Sequence, residues 1–169
     1  MRAALLSAAL AALIAVPAIA QQRGAAPGPQ RLGDFQDWTA AVHNEGGQRV
    51  CYAFTRAART DPQRDGVILT VTHRSTSRDQ VALSAGYAYP RNAAVTVSVG
   101  QTQLPFYTNA NSAFARDGRA AVAAFRGGSQ AVARGPRAGG RGTATDNFSL
   151  TGFSAAYDAI SRECPAARR

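Results

Sequence analysis

The sequence predicts one mainly β domain, a β-sandwich or barrel-like fold with a short helix and a C-terminal helix. Three observations carry that expectation. About seven short runs place apolar residues at every second position, the period of a half-buried strand. Pairs rich in Gly, Pro, Asn and Asp separate these runs at short intervals. One stretch near the C-terminus follows a helical period instead. The 169 residues suit a single domain, and 46% apolar with 17% charged residues are enough for a core and too little charge for a disordered polymer.

Residues 1–20 read as an export signal. Arg2 opens it, Ala3 to Val16 is almost wholly apolar, and Ala18 and Ala20 form a small-residue cleavage site after Ala20. The apolar run reaches about 17 residues, the lower limit for spanning the roughly 30 Å hydrocarbon core. The chain is therefore expected to be processed rather than anchored, with no transmembrane segment after cleavage. Residues 21–31 hold Gly24, Pro27, Gly28 and Pro29 with almost no apolar anchor, and read as a flexible leader. A single domain over residues 32–165 follows, with Phe35 and Trp38 as its first large anchors.

Arg49 to Thr55 is the first predicted strand, with Val50, Tyr52 and Phe54 on one face and Cys51 and Ala53 on the other. A polar loop ends at Asp65-Gly66. Val67, Leu69, Val71 and His73 then share a face, as do Val81, Leu83, Ala85 and Tyr87 before Pro90. The clearest local signal spans Ala94 to Tyr107. Gly100-Gln101 suits a two-residue type II′ turn, which fixes the pairs Val99 with Thr102, Val97 with Leu104 and Val95 with Phe106. Pro105 on that second strand predicts that the strand is an edge at that point. Asn109-Ala110-Asn111 reads as a turn. Asp117-Gly118 opens a short helix over Arg119 to Arg126, which Gly127-Gly128 stops. Ala131 to Ala133 reads as a strand, Arg134 to Gly142 as a surface loop, and Thr143 to Leu150 as the last strand. Thr151 is the expected N-cap of the final helix. Phe153, Ala156, Tyr157, Ile160 and Cys164 line one face of it, and Pro165 ends it.

Cys51 and Cys164 are the only cysteines, both lie after the export signal, and they are predicted to form one disulfide. Such a long closed loop is worth up to roughly 4–5 kcal/mol in the chain-entropy account. Two Cys and two scattered His do not make a metal centre, and nothing calls for a cofactor. His73 ends an apolar strand face and reads as a structural histidine, while His43 lies beside a turn. No nucleophile elbow, zinc-protease motif, phosphate loop or paired-carboxylate motif is present. The expectation is a non-enzymatic binding or structural protein, with a periplasmic hydrolase of cryptic site as the alternative. The 19 basic residues, all arginine, exceed the 10 acidic ones and give a net charge of +9. Arg134, Arg137 and Arg141, set among glycines, are the candidate contacts for an anionic envelope partner such as lipid head groups or acidic glycans. A protein partner is the other option, and export argues against nucleic acid.

The residues also carry a family likeness. Leu32-Gly33-Asp34-Phe35-Gln36-Asp37-Trp38, Arg49-Val50-Cys51-Tyr52 after a Glu-Gly-Gly turn, and Leu69-Thr70-Val71-Thr72-His73-Arg74 resemble blocks of the invasion-associated locus B family. So does the ending Phe148-Ser149-Leu150-Thr151-Gly152-Phe153-Ser154-Ala155-Ala156, with Ile160 and Cys164-Pro165. The blocks occur in order from Leu32 to Pro165. The resemblance implies an exported, periplasmic or outer-envelope protein of Gram-negative α-proteobacteria with an immunoglobulin-like β-sandwich. It implies a link to host-cell interaction in pathogenic members, and it carries over no catalytic residue. The Gly/Arg stretch is longer and more basic than the family pattern.

Overall fold

Period-two alternation becomes an antiparallel sheet of 11 strands in the computed structural model, which describes residues 28–166. The expected export signal and most of the expected leader lie outside the described residues. The strands are β1 (Gln30–Phe35), β2 (Trp38–Glu45), β3 (Gln48–Arg56), β4 (Arg59–Asp61), β5 (Ile68–His73), β6 (Gln80–Ser84), β7 (Ala94–Val99), β8 (Thr102–Asn109), β9 (Ser112–Ala115), β10 (Gln130–Pro136) and β11 (Thr143–Ser149). Helix α1 (Gly118–Gly127) lies between β9 and β10, and α2 (Phe153–Glu163) follows β11. The mainly β class with a short and a C-terminal helix is as the sequence predicts. No described helix is long and apolar enough to cross a membrane.

The spatial order is β1-β2-β3-β5-β6-β9-β8-β7-β10-β11-β4. The β4 end of this order comes back to β3, because β4 is the continuation of β3 beyond Ala57 and Ala58. The amide of Ala57 donates to Val67 O at 3.0 Å, on the β5 side, and that of Ala58 donates to Asn147 O at 2.8 Å, on β11. One chain segment thus switches partners and closes the ladder into a barrel-like ring, from which β2 and β1 extend. Closure removes most of the free edge that an open sheet would expose.

The inward face is the one the alternation marks. Leu69, Val71, Val81, Leu83, Val95, Val97 and Phe106 are buried, joined by Trp38, Phe125, Phe148 and Phe153. Trp38 and Phe153 meet edge to face at 4.9 Å, and Phe125 meets Phe153 at 5.4 Å. Such pairs add about 0.5–1.5 kcal/mol beyond their buried area. Asp117 caps α1 by accepting from Ala120 N at 3.0 Å. The Gly100-Gln101 hairpin has the expected register, with Val97 opposite Leu104 and Val95 opposite Phe106, and Gly100 takes the positive φ of 56° that the turn requires. Cys51 and Cys164 are bridged, with Cα atoms 6.0 Å apart, inside the usual disulfide range.

Several elements differ from expectation. Gln30 and Arg31, read as the end of the leader, pair in β1 with Val42 and Ala41. Strand β8 lies between β7 and β9, but its β9 ladder covers only Phe106 to Asn109, so at Pro105 it is locally an edge, as predicted. Proline is tolerated there because the β9 ladder ends at Phe106 opposite Ala115, so only the Pro105 carbonyl is used, by Arg116 N. Thr151 does not cap α2. Gly152, at φ 89°, takes that position without a side-chain hydrogen bond. A Cβ at Gly152 would collide with the Phe35 carbonyl, so close approach to β1 decides the residue. On β3, Cys51, Ala53 and Thr55 point inward as the alternation predicts, and on the opposite face Tyr52 and Phe54 are half-buried while Val50 is buried.

Candidate functional site

His73 ends the inward row of β5, opposite Cys51, and is fully buried. The turn into β6 folds back over it. Asp79 sits in this turn at φ 55°, and a Cβ at Gly118 would overlap the Asp79 carbonyl, so glycine at the start of α1 permits the fold-back. The amide of Asp79 donates to His73 Nδ1 at 3.2 Å. That assigns the lone pair to Nδ1 and the proton to Nε2, which lies 3.1 Å from Ser161 Oγ on α2. Tyr157, one turn before Ser161, donates its hydroxyl to Asp79 Oδ1 at 2.7 Å and sets its ring edge-on to the imidazole at 5.2 Å. Arg78 donates to Ser161 Oγ at 3.4 Å and to the carbonyl of Cys164.

A serine, a histidine and a carboxylate are therefore gathered at one place. Their hydrogen bonds run the wrong way for a hydrolytic relay. Such a relay needs Nε2 to accept the serine proton and the carboxylate to receive Nδ1–H. Here the Nδ1 lone pair is occupied by a backbone N–H, and Asp79 Oδ1 stays 3.8 Å from Nδ1 while accepting from Tyr157. Burial, aided by the Arg78 charge and opposed by Asp79, lowers the imidazole pKa to about 4. The ring is neutral at neutral pH and has no exposed atom. The arrangement ties α2 to the β5–β6 turn, with the Cys51–Cys164 bridge beside it.

A second buried polar pair lies near the seam of the ring. Asp146 projects inward from β11 between Ala144 and Phe148. Its Oδ2 is 2.5 Å from Arg64 Nη2. The same guanidinium donates to the carbonyls of Ala85 at 2.7 Å and Pro62 at 2.9 Å, and lies 5.0 Å from the centre of the Tyr87 ring. Asp146 Oδ1 has no hydrogen-bond partner among the described residues. Burial raises the Asp146 pKa to about 6, more than Arg64 lowers it.

The three candidate arginines do not form one loop. Arg134 is a strand residue of β10, paired with Thr145 of β11 and Thr96 of β7, and its side chain is exposed on the outer face. Arg137 holds the hairpin corner: its Nε donates to Thr143 O at 3.0 Å, and Nη2 lies 3.7 Å from Asp61. Arg141 is exposed among Gly139, Gly140 and Gly142, which all take positive φ. Arg134 and Arg141 have no acidic partner among the described residues. His43 stands on the outer face of β2 beside Tyr52, with ring centres 5.5 Å apart. No cluster of metal-binding side chains occurs among the described residues.

The sequence points to His73 and both cysteines and places Tyr157 on the core face of the last helix, but it does not point to Asp79, Ser161, Arg64 or Asp146. For Asp146 a signal existed, since Ala144, Asp146 and Phe148 alternate onto one face. For Tyr157 and Ser161 the i, i+4 spacing placed both on one helix face. Their meeting with His73 depends on the fold alone.

Comparison with known proteins gives one family and one fold. The family model for invasion associated locus B protein matches residues 38–161. The crystal structure of invasion associated protein B from Bartonella henselae superposes with a TM-score of 0.57 at 19% identity, covering 78% of this chain and 95% of that one. A search of curated proteins finds no match.

Proposed function

The chain belongs to the invasion associated locus B family, and from that premise we propose that it is an exported envelope protein that works by binding rather than by catalysis. The observation that carries this reading is the β10–β11 hairpin, which offers Arg134 and Arg141 to solvent without acidic partners while Arg137 braces the corner between them. Guanidinium groups presented to solvent on a hairpin suit the phosphates of an anionic envelope surface. The Cys51–Cys164 bridge and the sequence of residues 1–20 support an oxidising compartment such as the periplasm. The hydrogen-bond directions at His73 argue against the hydrolase alternative. The Bartonella henselae protein is described as invasion associated. For this chain, contact with a host cell is the finer form of the same proposal.

Sedimentation with phosphatidylcholine vesicles, with and without phosphatidylglycerol, tests the reading. Binding should require the anionic lipid and weaken as salt shortens the screening length below about 8 Å. It should weaken further in the Arg134→Ser, Arg141→Ser double variant. Binding indifferent to salt and to both substitutions would contradict it. Ester or cell-wall hydrolysis that is lost in His73→Gln would instead establish the enzyme.

A further inference from the structure

The outward face of the sheet carries a pattern that the arginine hairpin does not use. Ladder register sets Phe54, Thr70, Ala82, Phe114 and Tyr107 side by side in one row across β3, β5, β6, β9 and β8. All five point away from the core, because the residues next to them along each strand are the buried ones. At about 4.8 Å per strand the row runs roughly 19 Å from Phe54 to Tyr107. Aromatic side chains stand at both ends in stacked pairs, Tyr52 with Phe54 at 6.0 Å and Phe114 with Tyr107 at 5.5 Å. Only Thr70 and Ala82 lie between. Both helices bury their apolar sides in the core, and Tyr107 remains 45% exposed.

At the Phe54 end the row runs into an open cleft of about 340 Å³, walled by Asp37, Thr39, Phe54, Arg56 and Ser149. Arg56 is exposed at its rim. At the other end the Arg116 guanidinium lies over Tyr107, 5.9 Å from the ring centre. Neither arginine has an acidic partner among the described residues.

We propose that the cleft and the row together bind an acidic saccharide chain. The flat C–H faces of sugar rings match Phe54 and the Phe114–Tyr107 pair. Sugar hydroxyls find a carboxylate acceptor at Asp37 and hydroxyl partners at Thr39, Thr70 and Ser149. Carboxylates on the chain pair with Arg56 and Arg116, so the positive charge at both ends is what selects an acidic chain over a neutral one. A folded protein partner fits less well, because protein hot spots fill deep, desolvated pockets and the Thr70–Ala82 floor offers none. The inference goes beyond the hairpin reading and shares no residue with it.

Calorimetric titration of the protein with oligogalacturonate, and with a neutral cello-oligosaccharide, tests the proposal. Oligogalacturonate should bind saturably and more tightly than the neutral chain. Phe54→Ala and Tyr107→Ala should each lower its affinity about tenfold, the scale of one lost stacking contact. Arg56→Gln should reduce the preference for the acidic chain, and Arg134→Ser should change nothing. Tyr107 is exposed enough that its variant should melt like the parent, which keeps the test valid if Phe54→Ala folds poorly. The proposal is overturned if neither oligosaccharide binds, if both bind equally, or if Tyr107→Ala folds and binds like the parent. Poly-glutamate binding that depends on Phe54 and Tyr107 and excludes the saccharide would assign the face to an acidic polypeptide and overturn it as well.

Discussion

The two buried polar clusters solve the same problem in opposite ways. At His73 every hydrogen-bonding atom of the ring is used, and the ring is neutral. At Asp146 the protein keeps a carboxylate beside a guanidinium and leaves Oδ1 without a partner. The first cluster joins secondary elements distant in sequence, β5 and α2, and has a disulfide next to it. The second adds one side-chain tie to the β4–β11 ladder, and there the Asp146 carboxylate relies on Arg64 alone. Satisfied neutral networks specify geometry at little cost, whereas a buried charge depends wholly on its partner. The difference indicates that the His73 ring is held by several partners and the buried Asp146 charge by one.

Removing the single partner should have the largest effect. Arg64→Met leaves Asp146 buried and unpaired and should cost about 3–5 kcal/mol at pH 7, read by denaturant unfolding. A loss below about 1 kcal/mol would show that the seam is not held by this pair. Replacing Cys51 and Cys164 together by Ser should cost about 2–4 kcal/mol, and α2 should stay docked through His73 and Trp38. Near-ultraviolet circular dichroism of the Trp38–Phe153 environment checks the second half of that statement.

Acid separates the two clusters by sign. A histidine whose folded pKa is about 4 against 6.5 unfolded contributes stability present above pH 6.5, lost as pH falls toward 4. Asp146, raised to about 6 from 3.8, contributes stability present below pH 3.8, lost as pH rises through 6. Each is worth up to about 3 kcal/mol at its extreme, and between pH 4 and 6 they partly cancel. His73→Gln should therefore flatten the loss of stability on acidification, and Asp146→Asn should steepen it. Identical slopes in both variants would break the contrast between the clusters.

Much of this contrast was half-legible in the sequence. Strict alternation over Val67 to His73 and Val95 to Val99 placed the core and the hairpin register, because a one-residue slip would turn every side chain around. The disulfide followed from two cysteines in a chain whose first residues read as an export signal. Strand β2 was hidden because Ala40, Ala41 and Val42 are all buried, so no alternation marks it. Ring closure was hidden because it depends on hydrogen bonds from Ala57 and Ala58, which carry no pattern. At the site, His73, Asp146 and Tyr157 lay on readable strand and helix faces, but Arg64, Arg78 and Asp79 arrived from connections whose course no local signal sets, and no local signal brings α2 onto β5.

The central claim is that the Ser161–His73–Asp79 constellation is a structural clasp and not a masked catalytic relay. Nitrogen-15 NMR of the His73 ring tests it most directly. The account predicts a neutral ring protonated on Nε2 at pH 7, with a titration midpoint well below 6.5. A ring protonated on Nδ1, or a midpoint at 6.5 or above, would contradict it.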